Sequence, residues 1–214
     1  MAAPDLADLA HPAHTAIVTS EVQNGVVGER SALPALAEAA RPMIGRLAVL
    51  CAAGRSAGVR VIHATASRRA DGAGSNTNAR LFAGVKKSPV ALLPGSFEVQ
   101  VVAELGPEPE DLVLDRYHGL NPMGATDLDP VLRNLGVTTI VVTGVSVNIA
   151  ITNLVMDAVN LGYQVVLPRD AVTGIPQAYA DAVIDNTLAL LATVTTVDAL
   201  AAAWAAAARL EDPA

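Results

Sequence analysis

Short apolar runs alternate with longer amphipathic segments along the chain, and this alternation predicts strands and helices in turn. Strands are predicted at residues 15–20, 59–65, 137–143 and 163–168, with a further strand beginning at 112–114 and a short last one at 194–195. Helices are predicted at 33–57, 97–105 (with Ser96 as N-cap), 127–135, 149–161, 178–192 and 199–210. Strictly alternating elements of this kind are typical of an α/β fold, a parallel, doubly wound sheet with helices on both faces.

The run at 137–143 (Val-Thr-Thr-Ile-Val-Val-Thr) is the clearest strand, because it is apolar or β-branched throughout. A strand of that composition is typical of a parallel sheet buried on both faces. No linker-like stretch and no internal repeat interrupts residues 14–214, which we interpret as one domain. Residues 1–13 are interpreted as a loose N-terminal segment.

Composition narrows the possible functions. The 214 residues are 52% apolar and carry 14 basic and 21 acidic side chains, a formal net charge of −7. This balance argues against a nucleic-acid partner, since phosphate binding requires a basic face. No apolar run reaches the length of a membrane span, and the N-terminus lacks the features of a signal peptide. A single cysteine excludes an internal disulfide and a multi-thiolate metal site, which fits a cytoplasmic location.

Ligands of doubly wound sheets bind at the carboxyl ends of the strands. The residues to examine are therefore those that follow each predicted strand: Glu21, residues 65–69, 116–118 and 144–150, and Asp170.

Several of these strand ends resemble one family, the isochorismatase-like cysteine hydrolases. The resemblance lies in Ile-Val-Thr-Ser-Glu-Val-Gln-Asn-Gly at 17–25, Leu-Asp-Arg at 114–116 with Gly-Ala-Thr-Asp-Leu at 124–128, and Val-Thr-Gly-Val-Ser-Val-Asn-Ile-Ala at 142–150. Asp-Ala at 157–158, Gly-Tyr-Gln-Val at 162–165 and Asp-Ala at 170–171 extend it, so that it covers about residues 14–200. The resemblance implies a three-layer αβα sandwich, usually assembled as a dimer or tetramer.

The chain departs from the family at three positions. Thiol members use an aspartate, a lysine and a cysteine, whereas the matching positions here hold Glu21, Arg116 and Ala150. An alanine methyl cannot form the acyl intermediate that a thiolate forms, and arginine stays protonated where lysine can exchange a proton. Cys51 lies inside the predicted helix at 33–57, where a lone cysteine is expected to fill the core.

A second branch of the family, as the resemblance implies, hydrolyses vinyl ethers without a thiol. In that chemistry Glu21 is the acid, Arg116 binds a substrate carboxylate and His118 assists in binding the anion. The expected substrate-binding residues are Gln23, Tyr117, Val145, Ser146, Asn148 and Ala150. In the family the peptide between Val145 and Ser146 is commonly cis.

Alternatives remain open at this point. The chain is either such a hydrolase, acting on a small and anionic metabolite, or a catalytically inactive relative that binds a small ligand or serves as an oligomer subunit. We expect no cofactor and no metal, since no histidine pairs with Asp or Glu at metal-ligand spacing. His63 is expected to be structural, and residues 71–78 form either a lid or a plain connector. The small residues of the helices predict a homo-oligomer.

Overall fold

The computed structural model describes residues 5–211. Within that range seven strands form one parallel sheet in the order β3-β2-β1-β4-β5-β7, and the short β6 pairs with β4. The strands are β1 (Thr15–Ser20), β2 (Arg60–Ala66), β3 (Leu112–Arg116), β4 (Thr139–Val145), β5 (Gln164–Pro168), β6 (Val172–Thr173) and β7 (Thr193–Thr195). The predicted doubly wound parallel sheet is therefore confirmed.

Helices cover both faces of the sheet and make the three-layer αβα sandwich. The described helices are α1 (Leu6–Leu9), α2 (Pro34–Ser56), α3 (Arg80–Lys86), α4 (Leu128–Asn134), α5 (Thr152–Asn160), α6 (Gln177–Asn186) and α7 (Val197–Glu211). One core lies between the sheet and helices α1, α2 and α7, and the other between the sheet and α4, α5 and α6. Helix α3 belongs to neither core.

Strand β4 shows how the sequence builds these two cores. Val141 and Val145 pack into the core beneath α2, whereas Ile140 and Val142 pack into the core beneath α5. All seven residues of β4 are buried. The strand begins at Thr139 rather than at 137, but its predicted burial on both faces is confirmed.

The N-terminal segment is not loose where the structure describes it. The carbonyl of Leu9 accepts a hydrogen bond from Thr139 Oγ1 at 2.7 Å, and the carbonyl of Ala10 accepts one from Trp204 Nε1 at 2.7 Å. Leu9 and Ala10 are buried in the α2-side core. The expectation for residues 1–13 is therefore wrong for this part, because tertiary contacts hold it, and residues 1–4 lie outside the described residues.

Other differences concern local structure. Residues 97–105 form two 3₁₀ turns, Phe97–Val99 and Ala103–Leu105, rather than a helix, because Val101 between them pairs with Gln23 in an isolated bridge. Ser96 makes no capping hydrogen bond. Helix α3 and strand β6 were not predicted. Helix α5 is preceded by a π-helical turn at Val147–Ile151, and α6 ends at Asn186 before a 3₁₀ turn.

Candidate active site

A cleft of about 1070 Å³ lies at the carboxyl ends of the central strands. Each strand end supplies part of its wall: Glu21 after β1, Ser67 and Arg68 after β2, Arg116 at the end of β3, and Val145 at the end of β4. The segment at 68–92, which contains α3, forms another large part of the wall. The ligand position expected for a doubly wound sheet therefore coincides with a real cavity.

Glu21 and Arg116 form an ion pair in this cleft. Arg116 Nη2 donates a hydrogen bond to Glu21 Oε1, and Nη1 donates one to the carbonyl of Thr65 at 3.3 Å. The Arg116 side chain is only 6% exposed, whereas that of Glu21 is 22% exposed. The guanidinium Nε is buried and has no hydrogen-bond partner among the described residues. The pair thus joins the buried cation of Arg116 to the carboxylate of Glu21, which is partly accessible from the cleft.

The backbone of Glu21, directly after β1, has an unusual conformation. Its φ of +56° lies in the left-handed region, which non-glycine residues seldom adopt, and its N–H donates to the carbonyl of Ala64 at 2.9 Å. Unusual backbone conformations of this kind occur often at functional sites.

The segment after β4 lies beside this pair. Val145, Ser146, Asn148 and Ala150 all line the cleft, and the peptide between Val145 and Ser146 is cis, as the resemblance implies. Ser146 Oγ donates a hydrogen bond to Asn148 Oδ1. The methyl group of Ala150 is almost fully buried in the wall and offers the cleft no nucleophile.

The chain's one cysteine does not line the cleft. Cys51 lies in α2 and is buried in the α2-side core. Burial raises the pKa of this thiol to about 12, which keeps it protonated at neutral pH. Cys51 is therefore a core residue.

Tyr117 and His118 follow β3 and line the cleft with exposed side chains. Gln23 does not line it, so the expectation that Gln23 binds substrate is wrong. The buried Gln23 amide donates to the carbonyls of Ala66 (3.0 Å) and Val99 (2.9 Å) and accepts from the Ala66 N–H (2.8 Å). Gln23 therefore holds the turn after β1 against β2 and the segment at 97–101.

Asp170 and His63 make hydrogen bonds that connect elements of the fold. Asp170 accepts hydrogen bonds from Arg46 Nε and from the Val197 N–H, both at 2.9 Å, and so joins α2 to the start of α7. The fully buried His63 lies between Thr19 Oγ1 (2.9 Å from Nδ1) and Asp111 Oδ2 (3.2 Å from Nε2). Desolvation lowers the pKa of His63, despite the opposing effect of Asp111. Between residues 5 and 211, no group of three or more His, Cys, Asp or Glu side chains could hold a metal ion.

Positive charge dominates the cleft, which the sequence did not reveal. Five cations line it (Arg68, Arg80, Lys86, Lys87 and Arg116), against the two carboxylates of Glu21 and Asp71. The only lysines in the chain are Lys86 and Lys87. Asp71 is itself paired with Arg69, through contacts of 3.0 and 2.8 Å. A chain of net charge −7 thus presents a cationic cavity, which concentrates small anions near it.

The loop at 71–78 is part of the cleft wall. Asp71, Gly72, Ser75, Asn76 and Thr77 line the cavity, and Asn76 Oδ1 accepts a hydrogen bond of 2.8 Å from the Gly119 N–H. This bond ties the loop to the segment that carries Tyr117 and His118. The loop is thus more than a plain connector in this conformation.

Comparisons with known proteins place the chain in a family. The ureidoacrylate amidohydrolase RutB of Methylobacterium radiotolerans is 31% identical over 176 residues, which cover 75% of this chain and 67% of that protein. Its counterpart from Pantoea ananatis is 29% identical over 178 residues, 75% of this chain and 69% of that protein.

Among solved structures, a cysteine hydrolase from Pseudomonas syringae pv. phaseolicola superposes with a TM-score of 0.80 at 25% identity, covering 97% of this chain and all of that one. The N-carbamoylsarcosine amidase of Thermoplasma acidophilum shares the fold, with a TM-score of 0.70, 22% identity and coverage of 86% and 97%. The family model of the isochorismatase domain matches residues 15–199. The chain therefore belongs to the isochorismatase family.

Proposed function

We propose that the protein hydrolyses a small anionic metabolite in this cleft without a covalent thiol intermediate, and that Glu21 transfers the proton. The observation that carries the proposal is the Glu21–Arg116 pair, which lines the same cavity as the methyl group of Ala150. A route through water needs a positioned acid or base and an anchor for the substrate, and both are present. A route through a thioester needs a thiol, and Cys51 lies in the core.

The charge of the cleft supports an anionic substrate. Arg116 can bind a carboxylate through two parallel N–H donors, a geometry that fixes orientation as well as position. The cations of the 68–92 segment also attract negatively charged ligands at longer range. None of the described helices is long and apolar enough to cross a membrane. A cytoplasmic location remains part of the proposal.

Vinyl ether hydrolysis fits these groups best. Transfer of a proton from the Glu21 carboxyl to the terminal vinyl carbon gives an oxocarbenium ion, which Arg116 steadies through the substrate's carboxylate. Water adds to the cation, and the resulting hemiketal collapses to a ketone and an alcohol while a proton returns to Glu21. No bond to the protein forms at any step, so the methyl group of Ala150 does not prevent the reaction.

A second candidate is a family member that binds a small ligand without turnover. The observation that favours it is Ala150, which stands where the resemblance places the nucleophile. This candidate keeps Arg116 as the anion anchor and gives Glu21 no chemical task. It predicts saturable binding of a carboxylate with no product.

A substrate panel separates the two candidates. Wild-type protein is assayed with isochorismate as a vinyl ether and with ureidoacrylate as a carboxylated amide, and binding is measured by calorimetry. We expect turnover of the vinyl ether and none of the amide. Binding of either compound without turnover would favour the second candidate.

The variant Ala150→Cys tests the role of position 150. We expect it to gain no amidase activity, because an ordinary thiol is only a few per cent ionised at neutral pH and Arg116 cannot shuttle its proton. Efficient amide hydrolysis by this single variant would show that Arg116 substitutes for the family's lysine.

We also expect a homo-oligomer held together by apolar helix faces. Met156, Val159 and Leu161 on and just after α5 are large hydrophobic residues that the single chain leaves exposed. Light scattering at micromolar concentration should report a dimer or tetramer in low and in high salt. A monomer in both would contradict this expectation.

A further inference from the structure

The buried guanidinium of Arg116 has donors that the protein itself does not use. Nη1 donates to Thr65 and Nη2 to Glu21, whereas Nε is buried with no partner among the described residues. A buried donor left unpaired is unfavourable, so the surroundings of this guanidinium are not fully satisfied by the protein alone. Arg116 lines the cleft, so an anion bound there can approach its guanidinium by taking the place of Glu21.

Glu21 is the group most affected when such an anion arrives. In the free protein its carboxylate contacts Arg116, and this one cation compensates its charge directly. A carboxylate ligand that takes donors of the same guanidinium places a second negative charge next to the first. Two carboxylates that share one site repel each other, and the usual outcome is that one of them binds a proton.

We propose that Arg116 and Glu21 form a proton-coupled anion site, in which binding of a carboxylate to Arg116 is accompanied by uptake of one proton at Glu21. The ligand and Glu21 exchange places as partners of the cation, and the proton comes from solvent. This inference rests on the proposed function, since it uses Arg116 as the anion anchor. It adds that the carboxyl form of Glu21, which protonation of a vinyl ether requires, is produced by the substrate itself.

Other charged and titratable groups line the same cleft, and the experiment must separate their effects from that of Glu21. Arg68, Arg80, Lys86 and Lys87 line it, as does Asp71, which is paired with Arg69. Tyr117 and His118 line it as well, and histidine is the residue type whose ordinary titration range includes neutral pH. His118 is therefore the one cleft group between residues 5 and 211 that needs an explicit control.

Calorimetric titration with benzoate tests the proposal. Benzoate is ionised throughout the range from about pH 6 to about pH 8, so its own titration does not contribute. In wild type we expect the Kd of benzoate to rise about fivefold or more across this range, because a proton taken up on binding becomes harder to obtain. In Glu21→Gln the Kd should be independent of pH, since the amide binds no proton. In His118→Gln the pH dependence should persist.

The outcomes that would overturn the proposal are distinct. They are a flat Kd in wild type, a pH dependence that survives in Glu21→Gln, and a pH dependence that disappears in His118→Gln. Failure of benzoate to bind wild type would also overturn it, because Arg116 would then not be an anion site. Absence of turnover with the pH dependence intact would instead reject the hydrolase proposal and leave the proton-coupled site standing.

Discussion

Replacing Asp111 with alanine should strongly destabilise the fold, because this carboxylate joins helix α2, strand β2 and the turn that precedes β3. Asp111 accepts two hydrogen bonds from Arg55 of α2 (3.1 and 2.7 Å) and one from the Glu108 N–H (2.9 Å). It also contacts His63 of β2, which in turn bonds Thr19 of β1. Its side chain is 3% exposed. Although burial alone would raise it, the pKa of Asp111 is held below its usual value by Arg55 and the Glu108 N–H.

The expected size follows from what the truncation leaves behind. The buried His63 and the partly buried Arg55 each lose the carboxylate, although Arg55 keeps the Leu105 carbonyl and His63 keeps Thr19. Removal of one partner from a buried ion pair typically costs about 3–5 kcal/mol. A domain of this length loses roughly 2–4 °C of Tm for each kcal/mol. Asp111→Ala should therefore lower the Tm by about 6–20 °C.

Thermal denaturation followed by the fluorescence of Trp204 measures the change in Tm, and urea denaturation with the same probe measures the change in the free energy of unfolding. Trp204 is the only tryptophan and is buried against Ala10, so its emission reports global unfolding. The matched control is Asp185→Ala, which breaks an exposed ion pair with Arg169 and should cost less than about 1 kcal/mol. A loss for Asp111→Ala as small as that of the control would refute the argument from burial.

Three further predictions concern single positions. The free energy of unfolding should fall as the pH drops below about 6.5, because His63 binds a proton more readily in the unfolded chain than in the folded protein. His63→Gln should remove this contribution, and a variant with the same pH profile as wild type would contradict the prediction. Gly144→Ala should lower the free energy of unfolding by roughly 2 kcal/mol or more in denaturant melts, since its φ is +99° and a Cβ would lie 2.3 Å from the Ser20 carbonyl. Gly45→Ala in α2, where a Cβ meets nothing within 4 Å, is the control and should raise it by about 0.5–1 kcal/mol; equal effects of the two variants would contradict this prediction. Iodoacetamide should label Cys51 slowly in the native protein and rapidly in urea, and rapid native labelling would contradict its core position.

The sheet could be predicted from the sequence because its signals are local. The β-branched run around β4 and the glycines at 136 and 162 mark elements whose ends differ from the structure by only a few residues. The residues that follow the strands could also be predicted, since parallel strands deliver their carboxyl ends to one edge. Glu21, Arg116 and the segment after β4 meet at that edge.

The remaining features depend on contacts between distant segments. Gln23 is a polar residue that follows a strand, as a ligand-binding residue would be. Only its hydrogen bonds to the backbone of Ala66 and Val99 reveal that it holds a turn. The cationic wall at 68–92 depends on a helix, α3, that has no buried residue and hence no clear hydrophobic pattern. The docking of the N-terminal segment likewise depends on Trp204, almost two hundred residues away.

The most direct test of the central claim is the kcat of Glu21→Gln with isochorismate, measured beside wild type and Glu29→Gln. Glutamine keeps the shape of the side chain but cannot deliver the proton, and general acid catalysis typically contributes about 10²–10⁴ in rate. Glu29 is an exposed carboxylate outside the cleft, so its variant controls for the loss of one negative charge. The account predicts that kcat falls at least about a hundredfold in Glu21→Gln and is unchanged in Glu29→Gln. Turnover by Glu21→Gln at the wild-type rate would contradict it.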